Sequence, residues 1–191
     1  PPTNSTRNSG LNASPRTLLI DASPLLYAAR LDRLDVLGSL LEDYECLTTR
    51  AIIEEVRRND ADGEAAKRVS SAPWLGRAQT GSLDYLGAFV GWAQRLGMTP
   101  EHNIGETELC TYVDLYGGTV YMDDRQARKV AERHGLKVRG TAGLVADTCC
   151  RGAWTLSAAS SFLDDLRDAG LRLPFAPGGF EEWASKEGLL P

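Results

Sequence analysis

The chain is poor in the residues that build soft-metal and redox sites. It has two histidines, His102 and His134, and four cysteines, Cys46, Cys110, Cys149 and Cys150, with no C-x-x-C pair among them. That scarcity argues against a zinc centre, whose ligands come as closely spaced Cys and His. Cys149 and Cys150 are adjacent in sequence and badly placed to bridge each other, so all four are read as reduced thiols and the protein as cytoplasmic. There is no apolar run long enough to cross a membrane, and no membrane partner is expected. Pro1 to Pro15 lacks the apolar core of a signal peptide and is read as a disordered tail rich in Pro, Asn and Ser. Bases are outnumbered, 21 Lys and Arg against 26 Asp and Glu, for a net charge of −5. An acidic balance of that kind does not suit a general nucleic-acid coat protein.

What the chain does have is acids at the ends of apolar runs. Thr119-Val120-Tyr121-Met122 has strand character and runs directly into Asp123 and Asp124. Arg125 to Ala131 then follows with helical spacing. One of the two aspartates can be explained as a helix N-cap; a second needs another reason. Thr17-Leu18-Leu19-Ile20 is a continuous apolar run ending in Asp21, as expected for a strand buried on both faces. Ser23 is a plausible N-cap after it, with Pro24 at the first helical position. Ligand chemistry in open parallel sheets gathers at such strand ends.

Two more acids come from helices. Thr49 caps a helix over Arg50 to Arg58, where Glu55 borders the apolar stripe of Ala51, Ile52, Ile53 and Val56. A helix opening at Asn103 carries Glu106 and Glu108. Asn103 and Glu106 have capping-box spacing, which gives Glu106 a structural role. Glu108, on nearly the opposite side, is the preferred inward acid. The helix Leu83 to Leu96 is expected to bury Leu83, Leu86, Phe89, Val90 and Ala93, ending at Gly97. Ser70 to Gly81 reads as irregular. From Arg125 to Arg139 there are six bases and one acid, a net of +5, so the remainder of the chain carries −10. Such a stretch beside an acidic edge could hold a polyanion; taken alone, it reads more readily as a solvated helix face.

Alternating strands and helices imply an α/β three-layer sandwich with a central parallel sheet. Asp21, Glu55, Glu108 and Asp123 or Asp124 come from four separate segments of it. Hard oxygen donors without His or Cys suit Mg²⁺ or Mn²⁺, ions that activate water and stabilise charge in phosphodiester cleavage.

Four segments in order, LLIDASPLLYAARLDRLDVL, TTRAIIEEV, IGETELC and TVYMDDRQARKVAERHGLKVRGTAGLV, resemble the PIN domain. The resemblance is closest to PIN-like relatives of VapC toxins that carry a G-E-x-E and a D-D-R-x-A-R element, and it covers about Leu18 to Leu173. It implies a metal-dependent endoribonuclease acting on single-stranded or structured RNA. Asp21 is then the first-strand acid, Glu55 the helix acid, Glu108 the third, and Asp123 or Asp124 the fourth. Asp21, Glu108, Asp123 and Asp124 would hold the metal, while Ser23, Arg125, Arg128 and Lys129 would meet the substrate. The domain runs over 16–173 with a helical elaboration over 59–103, followed by a C-terminal helical tail over 174–191. The resemblance implies an antitoxin protein and a homodimer as protein partners; the elaboration and the tail are additions to the compact toxins and could replace the surfaces that those partners use.

Two other functions compete. A haloacid-dehalogenase-type phosphatase also follows its first strand with Asp, but requires a second Asp two residues on, where this chain has Ser23. A catalytically inactive PIN-like module that binds RNA or protein would keep the fold without turnover.

Overall fold

The computed structural model describes residues 16–190; the tail expected over 1–15 lies outside the described residues. Five strands, β1 (Arg16–Ile20), β2 (Tyr44–Thr48), β3 (Leu75–Arg77), β4 (Thr119–Tyr121) and β5 (Val138–Arg139), form one sheet. Every pairing is parallel and the strand order is β3-β2-β1-β4-β5. Helices cover both faces, which is the expected three-layer α/β sandwich. They are α1 (Ala22–Arg30), α2 (Leu34–Leu40), α3 (Arg50–Arg58), α4 (Glu64–Ser71) and α5 (Leu83–Leu96), followed by α6 (Ile104–Tyr116), α7 (Arg125–Arg133), α8 (Thr141–Cys150), α9 (Leu156–Asp168) and α10 (Phe180–Lys186). None of the described helices is long and apolar enough to cross a membrane. All four cysteines are free.

The core explains the strand sequences. Leu18, Leu19 and Ile20 of β1, the central strand, are fully buried, as are Val120 and Tyr121 of β4. A strand covered on both faces has no solvated side on which to alternate polar residues. The strand order also sets the position of the site. From β1 the chain builds outward through β2 and β3, then returns to β1's other side for β4 and β5. Neighbouring strands β1 and β4 therefore send their connections in opposite directions, which opens a crevice at their carboxyl ends. Asp21 follows β1, and its backbone N–H donates to the Tyr121 carbonyl at 2.9 Å, tying the two strand ends together.

Several expectations are corrected. Helix α1 begins at Ala22 with Asp21 in the N-cap position, so Ser23 is inside the helix rather than its cap. The segment over 59–103 is more than a helical elaboration, because it contributes β3 to the sheet edge. Three residues with a glycine at the centre carry no strand periodicity. Gly76 packs closely on the neighbouring strand: a Cβ there would come 2.8 Å from Leu47 Cδ2, which would have to move aside. The buried face of α5 is not the aliphatic one. Tyr85, Trp92 and Leu96 are buried, whereas Leu83, Leu86 and Val90 are exposed. The reason is polar anchoring on α6. The Tyr85 hydroxyl donates to the Glu108 carbonyl at 3.1 Å, and Trp92 Nε1 donates to Asp114 Oδ2 at 3.1 Å. Tyr and Trp bury large area while keeping a hydrogen bond, and that combination rotates the helix away from its aliphatic stripe. The helix expected in the C-terminal tail is present as α10, whose Phe180 and Ala184 are buried in the same core as the sheet.

Candidate functional site

The crevice between β1 and β4 collects four carboxylates. Asp21 is 3% exposed. It occupies the N-cap position of α1 but makes no side-chain cap bond, and its Oδ1 is buried without a partner. Its pKa is pushed well up, first by burial, then by the negative charges of Glu106 and Glu55, with Asp123 adding to them and the Ala22 N–H opposing. Buried carboxylates set close together disfavour one another's ionised form.

Glu55 comes from α3, whose start is set by Thr49, as the sequence predicts: Thr49 Oγ1 accepts from the Ile52 N–H at 3.4 Å. Its pKa rises to about 6, through burial and then Glu106, with Arg58 opposing. Its neighbour Glu54 is half-exposed and pairs with Arg57 at 2.5 Å on the solvent side. Gly105 allows α6 to approach Glu55. A Cβ on Gly105 would lie 2.3 Å from Ile52 Cδ1 and 3.0 Å from Glu55 Oε2.

From α6 it is the charge of Glu106, and not that of the preferred Glu108, that acts on Asp21 and Glu55. Asn103 takes a left-handed conformation, φ 63°, and makes no side-chain cap bond; its Nδ2 donates instead to the Leu96 carbonyl at 2.8 Å. The capping box is therefore absent and Glu106 is left to face the strand ends. Its Oε2 is buried without a partner. Burial raises its pKa, Asp124 adds to the rise, and its own backbone N–H and His102 oppose. Glu108 Oε2 is likewise buried without a partner, but it lies on the other side of α6, near Tyr85, whose pKa is raised first by burial and then by the Glu108 charge. It is not among the charges acting on Asp21 or Glu55. The glycine directly before Glu106 was the available sequence signal, since it marks the close approach of α6 to α3.

The structure separates the two aspartates after β4. Asp124 is the N-cap of α7 and accepts from the Ala127 N–H at 2.7 Å. Asp123 faces the crevice. Thr141 donates to it twice, from N–H to Oδ1 at 2.8 Å and from its hydroxyl to Oδ2 at 2.5 Å. Burial still carries its pKa upward, against these two bonds and the nearby Arg128. Behind Thr141, the Tyr121 hydroxyl lies 2.8 Å from Thr141 Oγ1. An ionised carboxylate only accepts, so with Asp123 charged the order is Tyr121 to Thr141 to Asp123. Neither Thr141 nor Tyr121 was among the residues expected from sequence, since a Thr after a Gly reads only as a helix start.

The basic segment divides. Arg128 comes against Asp123 and Gly140, where an added Cβ would meet Arg128 Nη1 at 2.7 Å and Asp123 Oδ1 at 2.9 Å. Arg125 and Lys129 are exposed on α7. Ser23 is half-buried and shares with Glu55, Tyr27, Arg30 and Asn59 a cavity of about 300 Å³ on one flank of the acids. A second cavity of about 300 Å³ opens beside Asp124.

Among the described residues, no three of the His, Cys, Asp and Glu side chains stand together in ready metal-ligand geometry. The chemistry of the site nonetheless fits a hard divalent ion. Its donors are carboxylate oxygens, two of them buried and unpartnered, Asp21 Oδ1 and Glu106 Oε2. Mg²⁺ and Mn²⁺ select this donor type.

A family model for the PIN domain matches residues 17–176. No curated protein matches the chain.

Proposed function

Because the chain belongs to the PIN domain family, whose fold is of nuclease type, we propose that it is a metal-dependent endoribonuclease acting on single-stranded RNA. The observation that carries this reading is the convergence of Asp21, Glu55, Glu106 and Asp123 on one crevice, with their pKa values raised and two oxygens orphaned. Asp21, Glu106 and Asp123 would hold Mg²⁺ or Mn²⁺, and Asp124 stands at the rim. When bound, such an ion lowers the pKa of a coordinated water and offsets charge on the phosphodiester.

The chain's own residues would do the rest. Asp21 follows a fully buried strand and Asp123 is gripped by Thr141, so both carboxylates keep their positions through a reaction, which is the condition for electrostatic preorganisation. Glu55, with a pKa near 6, is suited to accept a proton close to neutral pH. Arg128 beside Asp123, with Arg125 and Lys129 exposed on the same helix, would hold the phosphates on either side of the cut. Ser23 and Arg30 line the cavity by Glu55 and offer a hydroxyl and a guanidinium to the backbone. A role as the toxin of a toxin–antitoxin pair is consistent with the family and adds an antitoxin as partner.

The test is cleavage of single-stranded RNA of several sequences by wild type and Asp21→Asn, each with and without chelator. Cleavage by wild type in Mg²⁺ or Mn²⁺, lost in the variant and in chelator, is the expected result. Equal cleavage by both proteins, or wild-type cleavage that survives chelation, would refute the mechanism. RNA binding by both without cleavage would make the protein an inactive binding module.

A further inference from the structure

The cavity beside Asp124 has a lining unlike that of the acid cluster. It lies between the C-terminal end of α5 and the first turns of α7. Three side-chain amides border it: Gln94, Asn103 and Gln126. Among the described residues, the Gln94 and Gln126 side chains make no hydrogen bond. Asn103 is oriented by its Nδ2 bond to the Leu96 carbonyl, and no bond uses its Oδ1. Ala127 and Val130 add apolar surface. Arg95 also borders the cavity, with its guanidinium 5.0 Å from the Trp92 ring centroid.

This set of groups selects against several ligands. One arginine is too little positive charge for a polyphosphate. One carboxylate, already accepting from Ala127, is too little negative charge for a cation. An amide presents a donor and an acceptor side by side, which matches the edge of a nucleobase, and Asn or Gln pairs with adenine in this bidentate way. Single-stranded RNA is read by splaying bases out, stacking them on aromatic or guanidinium planes and bonding their edges. Apolar surface, a guanidinium held against an aromatic ring, and free amides are the parts such recognition uses.

We propose that this cavity is a nucleobase pocket, which receives an unstacked base next to the scissile phosphate and gives the enzyme its sequence preference, adenine being the base its amides match. The inference rests on reading the acid cluster as the cleavage site. The position supports it: the cavity is lined by Asp124, the residue next to the crevice acid Asp123. A separate cavity, lined by Ser23 and Glu55, borders the acids as well.

Two measurements test it independently. In the first, the four nucleoside 5′-monophosphates and inorganic phosphate are titrated into isotope-labelled wild type, Gln94→Ala and Gln126→Ala, and the side-chain amide resonances are followed. The expected result is a response to adenosine monophosphate at Gln126 and Gln94, with affinity roughly 5- to 100-fold above the other bases, and loss of that selectivity in both variants. No amide response to any nucleotide, or the same response to inorganic phosphate alone, overturns the pocket. In the second, a randomised single-stranded RNA pool is cleaved and the bases flanking the cut are read. Wild type should show a preference at one position that flattens in the variants; cleavage with an unaltered preference overturns the pocket while leaving the nuclease reading intact. If wild type cleaves nothing, the nuclease reading fails and the titration alone decides the pocket.

Discussion

Thr141 holds both oxygens of Asp123, one through its backbone N–H at 2.8 Å and the other through its hydroxyl at 2.5 Å. Each carboxylate oxygen has two lone pairs, so this grip leaves a free acceptor site on each for a cation. The first residue of α8 thus sets the orientation of an acid that follows β4.

Thr141→Val should therefore weaken Mn²⁺ binding by roughly 10- to 100-fold, the usual effect of losing a group that orients a metal ligand. Thr141→Ser keeps the hydroxyl and should restore most of the affinity. Calorimetric titration of Mn²⁺ into the two variants measures this without reference to cleavage. Equal affinity of the valine and serine variants would show that the hydroxyl has no orienting role.

Glu106 and Glu108 provide an internal contrast. Glu106→Gln removes a charge that acts on Asp21 and Glu55. It should abolish metal binding and raise the melting temperature of the metal-free protein by relieving repulsion. Glu108→Gln lies against Tyr85 and should leave Mn²⁺ affinity within about threefold of wild type, on the order of 0.6 kcal/mol. Melting curves and Mn²⁺ titrations of both variants distinguish the positions; loss of affinity in Glu108→Gln with retention in Glu106→Gln would reverse the assignment.

The pH dependence follows from the sign of the shifts. Glu55 has an ordinary value of 4.5 and a folded value of about 6. Between these the folded state holds more protons than the unfolded one, so stability falls as pH rises through the window. Asp21, Glu106 and Asp123 are raised as well and act in the same direction. In chelator, the melting temperature of wild type relative to Glu55→Gln should decrease from pH 4.5 to pH 6, taking the window from the Glu55 shift. A divalent ion binds the ionised carboxylates, so the stabilisation by Mn²⁺ should grow across the same range. A flat difference between the two proteins would show that Glu55 does not titrate as the crevice requires.

Gly105→Ala would put a methyl group 2.3 Å from Ile52 Cδ1 and 3.0 Å from Glu55 Oε2. Ile52 is fully buried, so relief requires a shift of α6 away from α3. Overpacking of this type costs about 1–3 kcal/mol, to be read by denaturant unfolding. Metal affinity should fall together with stability, because the same shift moves Glu106 away from Asp21. A stability loss with unchanged Mn²⁺ affinity would place the strain elsewhere.

How much of this was legible beforehand depended on whether the deciding interaction was local. Leu18 to Ile20 had to be a buried strand because nothing in it is polar, and that run delivers Asp21 to the strand end. Thr49 capped α3 as expected, since an N-cap needs only its own hydroxyl and a backbone N–H three residues on. The alternation of such elements was enough to specify a parallel sheet between helices. The pair Asp123-Asp124 was visible as two acids with one capping role between them, but not which aspartate took it.

The rest required contacts between segments far apart in the chain. Whether Asp123 or Asp124 faces the crevice depends on Thr141, 18 residues after Asp123. Glu106 rather than Glu108 faces Asp21 because Asn103 turns left-handed and gives its amide to Leu96, dissolving a capping box that spacing alone supported. Helix α5 buries Tyr85 and Trp92 instead of Leu83, Leu86 and Val90 because its hydrogen-bond partners belong to α6. The sequence by itself determined the helices that carry the acids, the strands other than β3, and the acids available to the site. The rotation of each helix about its own axis, and hence which acid points inward, was decided by the tertiary structure, because periodicity defines a helix's faces while only a packing partner selects among them.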